Sequence, residues 1–140
     1  SKTYQNDSQG WLPANNPCPS GWRLQTKDEW DAVINTSNNA IKKYVGTSGG
    51  NTQSWNTNHD PIPNDNYNNV MKVGDYLYLP AAGARNYSNG VLAYRGEAGY
   101  YLSSSPSGSN AYILYLRGYD QGMDDPYRSY GYSVRCVAAD

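Results

Sequence analysis

The spacing of apolar positions changes part-way along this chain. Residues 1–17 are polar, with Trp11-Leu12 as the only strong apolar pair, and they read as a short strand followed by a turn at Asn16-Pro17. Trp30, Val33 and Ile34 then recur at the i, i+3, i+4 spacing of one helical face. Thr26 stands three residues before Glu29, the pattern of a capping box. Asp28 and Glu29 also suit the positive end of a helix dipole. A helix is therefore predicted over about residues 27–36. A second, weaker helix or turn is read over residues 40–45, with Gly46 as its stop. Residues 46–70 carry Thr, Ser, Gly, Asn, Asp and Pro, with Trp55, Ile62 and Val70 as the apolar exceptions. They read as one long loop anchored by Trp55; loops of that length are usually functional or need their own anchoring.

From Asp75 onward the period is two. Leu77 and Leu79 alternate with Tyr76 and Tyr78, the rhythm of a strand with two unlike faces. Asn89-Gly90 is a strong hairpin signal, and strands are predicted over residues 91–95 and 100–105. Ser107-Gly108-Ser109 turns the chain again. Tyr112, Leu114 and Leu116 then alternate with Ile113, Tyr115 and Arg117. Residues 119–127 read as a polar loop and residues 129–137 as the strand that closes the sheet. The elements add up to an α+β domain: one or two early helices packed on a twisted antiparallel sheet, with long loops.

Composition sharpens this picture. At 140 residues the chain is long enough for one core, so residues 1–140 are read as a single domain. The net charge of −1 gives no steering toward nucleic acid or an anionic membrane, and no transmembrane run is present. The chain begins at Ser1 and is read as a fragment excised from a larger surface protein. Fifteen Tyr and four Trp stand against no Phe, and ten of the Tyr lie between Tyr87 and Tyr132. Tyrosine suits half-buried sheet surface. It also supplies large, rigid, amphipathic contact area, as in antibody loops. So many in one third of the chain point to a contact surface. Two cysteines, Cys18 and Cys136, fit either one disulfide or two free thiols.

Chemistry that makes and breaks bonds finds little support. His59 is the sole histidine and no triad motif surrounds it. Zinc clusters of Cys and His are missing. Asp60, Asn64, Asp65 and Asn66, and separately Asp120, Asp124 and Asp125, offer oxygen atoms for calcium, but turn chemistry accounts for both groups. We therefore expect no cofactor, with calcium as the alternative. By alternation, Tyr101, Ser103, Ile113, Tyr115 and Arg117 are expected on the sheet face opposite Leu102, Leu114 and Leu116. Tyr119, Asp120, Gln121, Met123, Asp124 and Tyr127 are expected in the adjoining loop. These eleven residues form the candidate ligand-binding set.

Several motifs occur in a recognisable order. They are Cys18-Pro19-Ser20-Gly21-Trp22-Arg23-Leu24, the capped helix with Glu29-Trp30, and Leu79-Pro80-Ala81-Ala82-Gly83 followed by Arg85-Asn86. Tyr101-Leu102-Ser103-Ser104-Ser105 and Tyr130-Gly131-Tyr132-Ser133-Val134-Arg135-Cys136-Val137 complete the set. Over about residues 11–138 the chain resembles the Fibrobacter succinogenes major paralogous domain. That family is found in secreted and surface proteins of Bacteroidetes and is related to the formylglycine-generating-enzyme and C-type-lectin folds. The resemblance implies a C-type-lectin-like fold, a Cys18–Cys136 disulfide and adjacent chain ends. It places the ligand face on the later strands and their loops. Some members are variable proteins of diversity-generating retroelements, including fimbrial-tip-like adhesins and phage receptor-binding proteins. The Tyr, Asp, Ser and Arg of residues 101–128 fit that pattern. Relatives usually carry Trp at Leu102 and Phe at Leu116 and Tyr132, so Leu102 and Leu116 are expected to repack the core. The lectin calcium motifs do not occur, and both cysteines sit at the family's structural positions.

The sequence thus reads as a non-enzymatic recognition domain of an adhesin or phage receptor-binding protein. It would be extracellular, at a cell surface or on a phage particle. Its partner would be a protein or glycan on another cell or virion, with no nucleic acid and no membrane insertion. The alternatives are a structural accessory domain of a larger surface protein, or an enzyme on the formylglycine-generating-type fold.

Overall fold

The computed structural model describes residues 5–6, 10–11, 16–35, 42–45, 70–73, 77–117, 121–126 and 130–139. Two short strands, β1 (Gln5–Asn6) and β2 (Gly10–Trp11), pair near the start. Asn16 then closes the turn before the first cysteine. Its carboxamide oxygen accepts from the Cys18 N–H at 3.0 Å, and its amide donates to the Trp22 carbonyl at 3.0 Å. Strand β3 (Trp22–Leu24) leads into helix α1 (Lys27–Asn35).

The helix begins where the capping box places it. The Glu29 N–H donates to Thr26 Oγ1 at 3.1 Å, and the Thr26 hydroxyl reaches Glu29 Oε1 at 3.2 Å. A second orphan donor, the Lys27 N–H, is taken by Ser105 Oγ at 2.9 Å. Helix ends need such partners because their first N–H groups have none within the helix. This one comes from a strand far along the chain and ties the helix start to the sheet.

Strands β4 (Lys42–Val45), β5 (Val70–Val73) and β6 (Leu77–Pro80) form an antiparallel sheet in that order. Two corrections follow. The helix or turn expected over residues 40–45 is a strand where it is described. The expected loop ends in a further strand that begins at Val70. Strand β4 pairs along its whole length with β5, Lys42 opposite Val73 and Val45 opposite Val70; that long-range pairing outweighs a weak local helix preference. Trp55 and the rest of the expected loop lie outside the described residues.

The hairpin of β7 (Ala84–Arg85) and β8 (Leu92–Ala93) turns through Asn86–Gly90 as the Asn-Gly signal indicates. Strand β9 (Ala98–Ser107), β10 (Asn110–Arg117) and β11 (Gln121–Asp124) make a second three-stranded sheet with β10 at its centre. Strand β11 occupies the middle of what reads in sequence as a loop. Its four residues pair with residues 113–116 of β10.

Strand β12 (Cys136–Ala138) pairs with β3, Cys136 opposite Leu24 and Ala138 opposite Trp22. The last strand thus closes onto an early one, joined by the Cys18–Cys136 disulfide across 118 residues with a Cα–Cα distance of 5.8 Å. The single closed sheet expected from sequence is several small sheets, and residues 131 and 133 join them by isolated bridges. The architecture is α+β with mainly antiparallel pairing.

The core lies between α1, the β5–β6 sheet and the β9–β10 sheet. Trp30, Ile34, Met71, Leu79, Leu114 and Leu116 are fully buried there, with Val73, Ala81 and Tyr101 beside them. The apolar face read for the helix is the one that packs inward. Among the described residues no helix is long and apolar enough to cross a membrane.

Candidate functional site

The two faces of the β9–β10–β11 sheet do different work. Directly opposed residues of an antiparallel pair share a face. Tyr101 opposes Leu114 and Gly99 opposes Leu116, so this face of β9 meets the core. Tyr100 opposes Tyr115, Leu102 opposes Ile113 and Ala98 opposes Arg117, so these residues make the second face.

This phase corrects the expected arrangement. Tyr101 (5% exposed) and Ser103 (0%) are core residues. Leu102, expected to point inward with Leu114 and Leu116, lies half-buried on the opposite face. Both buried polar groups are satisfied. The Tyr101 hydroxyl donates to the Pro80 carbonyl at 2.8 Å, and the Ser103 hydroxyl to the Tyr112 carbonyl at 2.7 Å. The latter bond sits at an irregularity where residues 103–105 oppose Tyr112 alone, an insertion that bends a strand. Burial alone pushes the Tyr101 phenol far above its ordinary range, since the anion would lose its water.

Over the second face lies a pocket of about 450 Å³. Ile113, 1% exposed, and Ala84 supply apolar lining. Asn110 and Arg117 lie at the two ends of β10, Asp124 at the end of β11, and Asp125 and Pro126 just beyond it. Tyr94, Tyr100, Tyr130 and Tyr132 complete the lining.

Three backbone contacts bring those tyrosines together. Gly83 forms a parallel bridge with Gly99; a side chain at Gly83 would drive into the Ala93 carbonyl, so only glycine lets the β8 end approach this closely. That approach sets Tyr94 against Tyr100, their ring centroids 6.3 Å apart and edge-to-face. Arg85 and Gly131 exchange N–H···O bonds of 2.8 and 3.0 Å, and Tyr130 stands edge-on to Tyr87 at 5.1 Å. Ser133 receives the Leu102 N–H and donates to the Tyr100 carbonyl, both at 3.0 Å. Tyr132 thereby lies 6.0 Å from Tyr100 and stacks on Tyr130 at 5.8 Å. The result is a continuous row, Tyr87–Tyr130–Tyr132–Tyr100–Tyr94, in spacings where aromatic pairs attract.

Charge is distributed around this row. The Arg117 guanidinium lies over the Tyr115 ring at 4.7 Å, a cation–π contact. The Tyr115 ring in turn lies under Gly122, where any side chain would meet it at 3.0–3.2 Å. Burial pushes the Tyr100 phenol up, and Arg117 pulls it back in part. The Tyr132 phenol is raised well beyond its ordinary range, first by burial and then by Tyr130, Tyr100 and Asp124. Asp125 accepts from the Ser107 hydroxyl at 2.8 Å.

Of the residues expected from sequence, Ile113, Arg117 and Asp124 line the pocket, and Tyr115 supports Arg117. Tyr101 and Ser103 do not reach it. Met123 is half-buried and packs toward the core; it opposes Leu114 on the core face, and Gln121 opposes Leu116 there. Tyr119, Asp120 and Tyr127 lie outside the described residues, as do His59, Asp60, Asn64, Asp65 and Asn66. Sequence reasoning missed Tyr94, Tyr100, Asn110, Tyr130 and Tyr132 as site residues and weighed Asp125 only for calcium. Tyrosine density from Tyr87 to Tyr132 was the signal available for most of them. Among the described residues no group of three or more His, Cys, Asp or Glu is placed to hold a metal ion.

Comparison with protein-family models, curated proteins and solved structures finds no match to this chain.

Proposed function

We propose that this is a non-enzymatic recognition domain whose ligand is held against the tyrosine row on the second face of the β9–β10–β11 sheet. The observation that carries the reading is the row itself. Tyr94 is 54% exposed and Tyr87 56%, yet each stands in an edge-to-face aromatic contact within the row. Aromatic anchors lose little entropy on binding. The pocket's volume falls in the range of about 300–1,000 Å³ usual for ligand sites.

The wider reading is an adhesin or phage receptor-binding protein with a C-type-lectin-like fold, exposed at a cell or particle surface. It rests on the motif resemblance and on the disulfide, which persists in oxidising compartments. Its partner would be a protein or glycan on another surface, held without covalent chemistry or cofactor. Membership of a diversity-generating system belongs to the same proposal.

The test is ligand selection. The domain is screened against a peptide-display library and a glycan array, beside Tyr94→Ser and Tyr130→Ser variants. The expected result is a ligand whose binding both substitutions weaken about fivefold or more, as truncation of an interface anchor does, with little change in melting temperature. A ligand indifferent to both substitutions would move the recognition surface elsewhere.

A further inference from the structure

We infer that the pocket takes the ring of a neutral sugar, a pyranose at the end of a glycan. This rests on the recognition reading above and names the ligand class for the same site.

Charge narrows the choice first. The described lining carries Arg117 on one side and Asp124 and Asp125 on the other. A cationic guest is drawn to the carboxylates but repelled by the guanidinium, and an anionic guest the reverse, so a full charge of either sign gains only in part. A wholly apolar guest would strip water from all three without replacing its hydrogen bonds, which is costly. A neutral guest with many hydroxyls avoids each penalty. Hydroxyls both donate and accept. The lining offers an acceptor-only type in Asp, a donor-only type in Arg, and two-way groups in Asn110 and the phenols.

Shape narrows it further. The tyrosine rings present flat apolar surface, and a pyranose has flat C–H faces with hydroxyls around its rim. Peptide main chain is a poorer fit. Strand β10 is paired on both sides, and β11, the sheet's outer strand, brings only its last residue, Asp124, to the pocket lining. The second edge of β9 is already engaged at Tyr100 and Leu102 by Ser133. A peptide would find little backbone beneath the pocket with which to extend the sheet. What faces the pocket is side-chain chemistry.

The test uses the intact domain and nuclear magnetic resonance titration. The neutral probes are methyl glycosides of glucose, galactose, mannose and N-acetylglucosamine. Glucosamine at pH 6 and glucuronate are the charged counterparts of the same ring. At least one neutral glycoside is expected to shift the Tyr94, Tyr100 and Asn110 signals saturably, with both charged sugars about tenfold weaker, a difference of 1.4 kcal/mol. Asp124→Asn, at an exposed position, is expected to bring glucuronate closer to the neutral probe. Equal affinity for neutral and charged rings overturns the inference. So does silence toward all sugars while a library peptide shifts the same signals, in which case the recognition reading survives. Silence toward both classes ends both. The same glycosides linked to beads through the anomeric carbon are expected to retain the domain; binding lost on linkage would overturn the glycan assignment in favour of a free sugar.

Discussion

Tyr94 holds its backbone at φ 60°, the one non-glycine residue with positive φ among those described. The left-handed region costs an L-residue about 1–2 kcal/mol, and glycine adopts it freely. The Tyr94 carbonyl accepts from the Glu97 and Ala98 N–H groups at 2.9 and 3.0 Å, bonds that any residue there would make. Its half-exposed ring touches Tyr100 at the edge and returns little to the folded state. Strained residues of this kind cluster at active sites and ligand clamps, and this one stands in the pocket wall. Tyr94→Gly is therefore expected to leave stability unchanged or raise it by up to about 1 kcal/mol, relief of strain being offset by added unfolded-state freedom. Binding of the selected ligand should weaken about fivefold or more. Thermal melts and a titration measure both; lost stability with retained binding would assign the ring to packing. At this scale the sequence shows which residue types matter but not their phase. Alternation separates Tyr101 from Leu102 correctly. It cannot say which of them faces Leu114, because register is set across strands.

Helix α1 was legible because local and tertiary signals agree. Thr26, Glu29 and the Trp30–Ile34 stripe each point to one boundary and one buried face. Thr26→Ala is expected to cost about 0.5–2 kcal/mol, read by denaturant unfolding. The Glu29 carboxyl is held below its ordinary range, first by its hydrogen bond from Arg23 at 2.8 Å. Its contribution is present above the unfolded value near 4.5 and fades as pH falls through the folded value. The pair is more than a third exposed, so the effect is small and screened by salt. Strands β4, β5 and β11 were not legible. Each has four residues and draws its order from a partner distant in sequence or from a central strand, and neither leaves a local period to read.

Across the whole molecule, one covalent bond and one aromatic row set the behaviour. The disulfide closes nearly the entire chain, and loops of that size stabilise by about 4–5 kcal/mol in the chain-entropy model. Against a typical total of about 5–15 kcal/mol, reduction is expected to leave a marginal domain, seen as a large fall in the urea midpoint. Unchanged unfolding after reduction would contradict this. Tyr100, Tyr101 and Tyr132 have raised phenol pKa values. The unfolded chain ionises them near pH 10, so their share of stability is intact below that pH and is lost as pH rises toward their folded values. Phenolate absorbance should therefore show a late fraction that titrates together with loss of structure.

The central claim, that the tyrosine row is the recognition surface, is tested most directly by a hydrogen-exchange footprint of the selected ligand. Protection is expected around Tyr94, Tyr100, Arg117 and Tyr130–Tyr132. Protection confined to the β3–β12 end, where Trp22 is 47% exposed, would contradict the claim and favour a structural domain that docks within a larger protein.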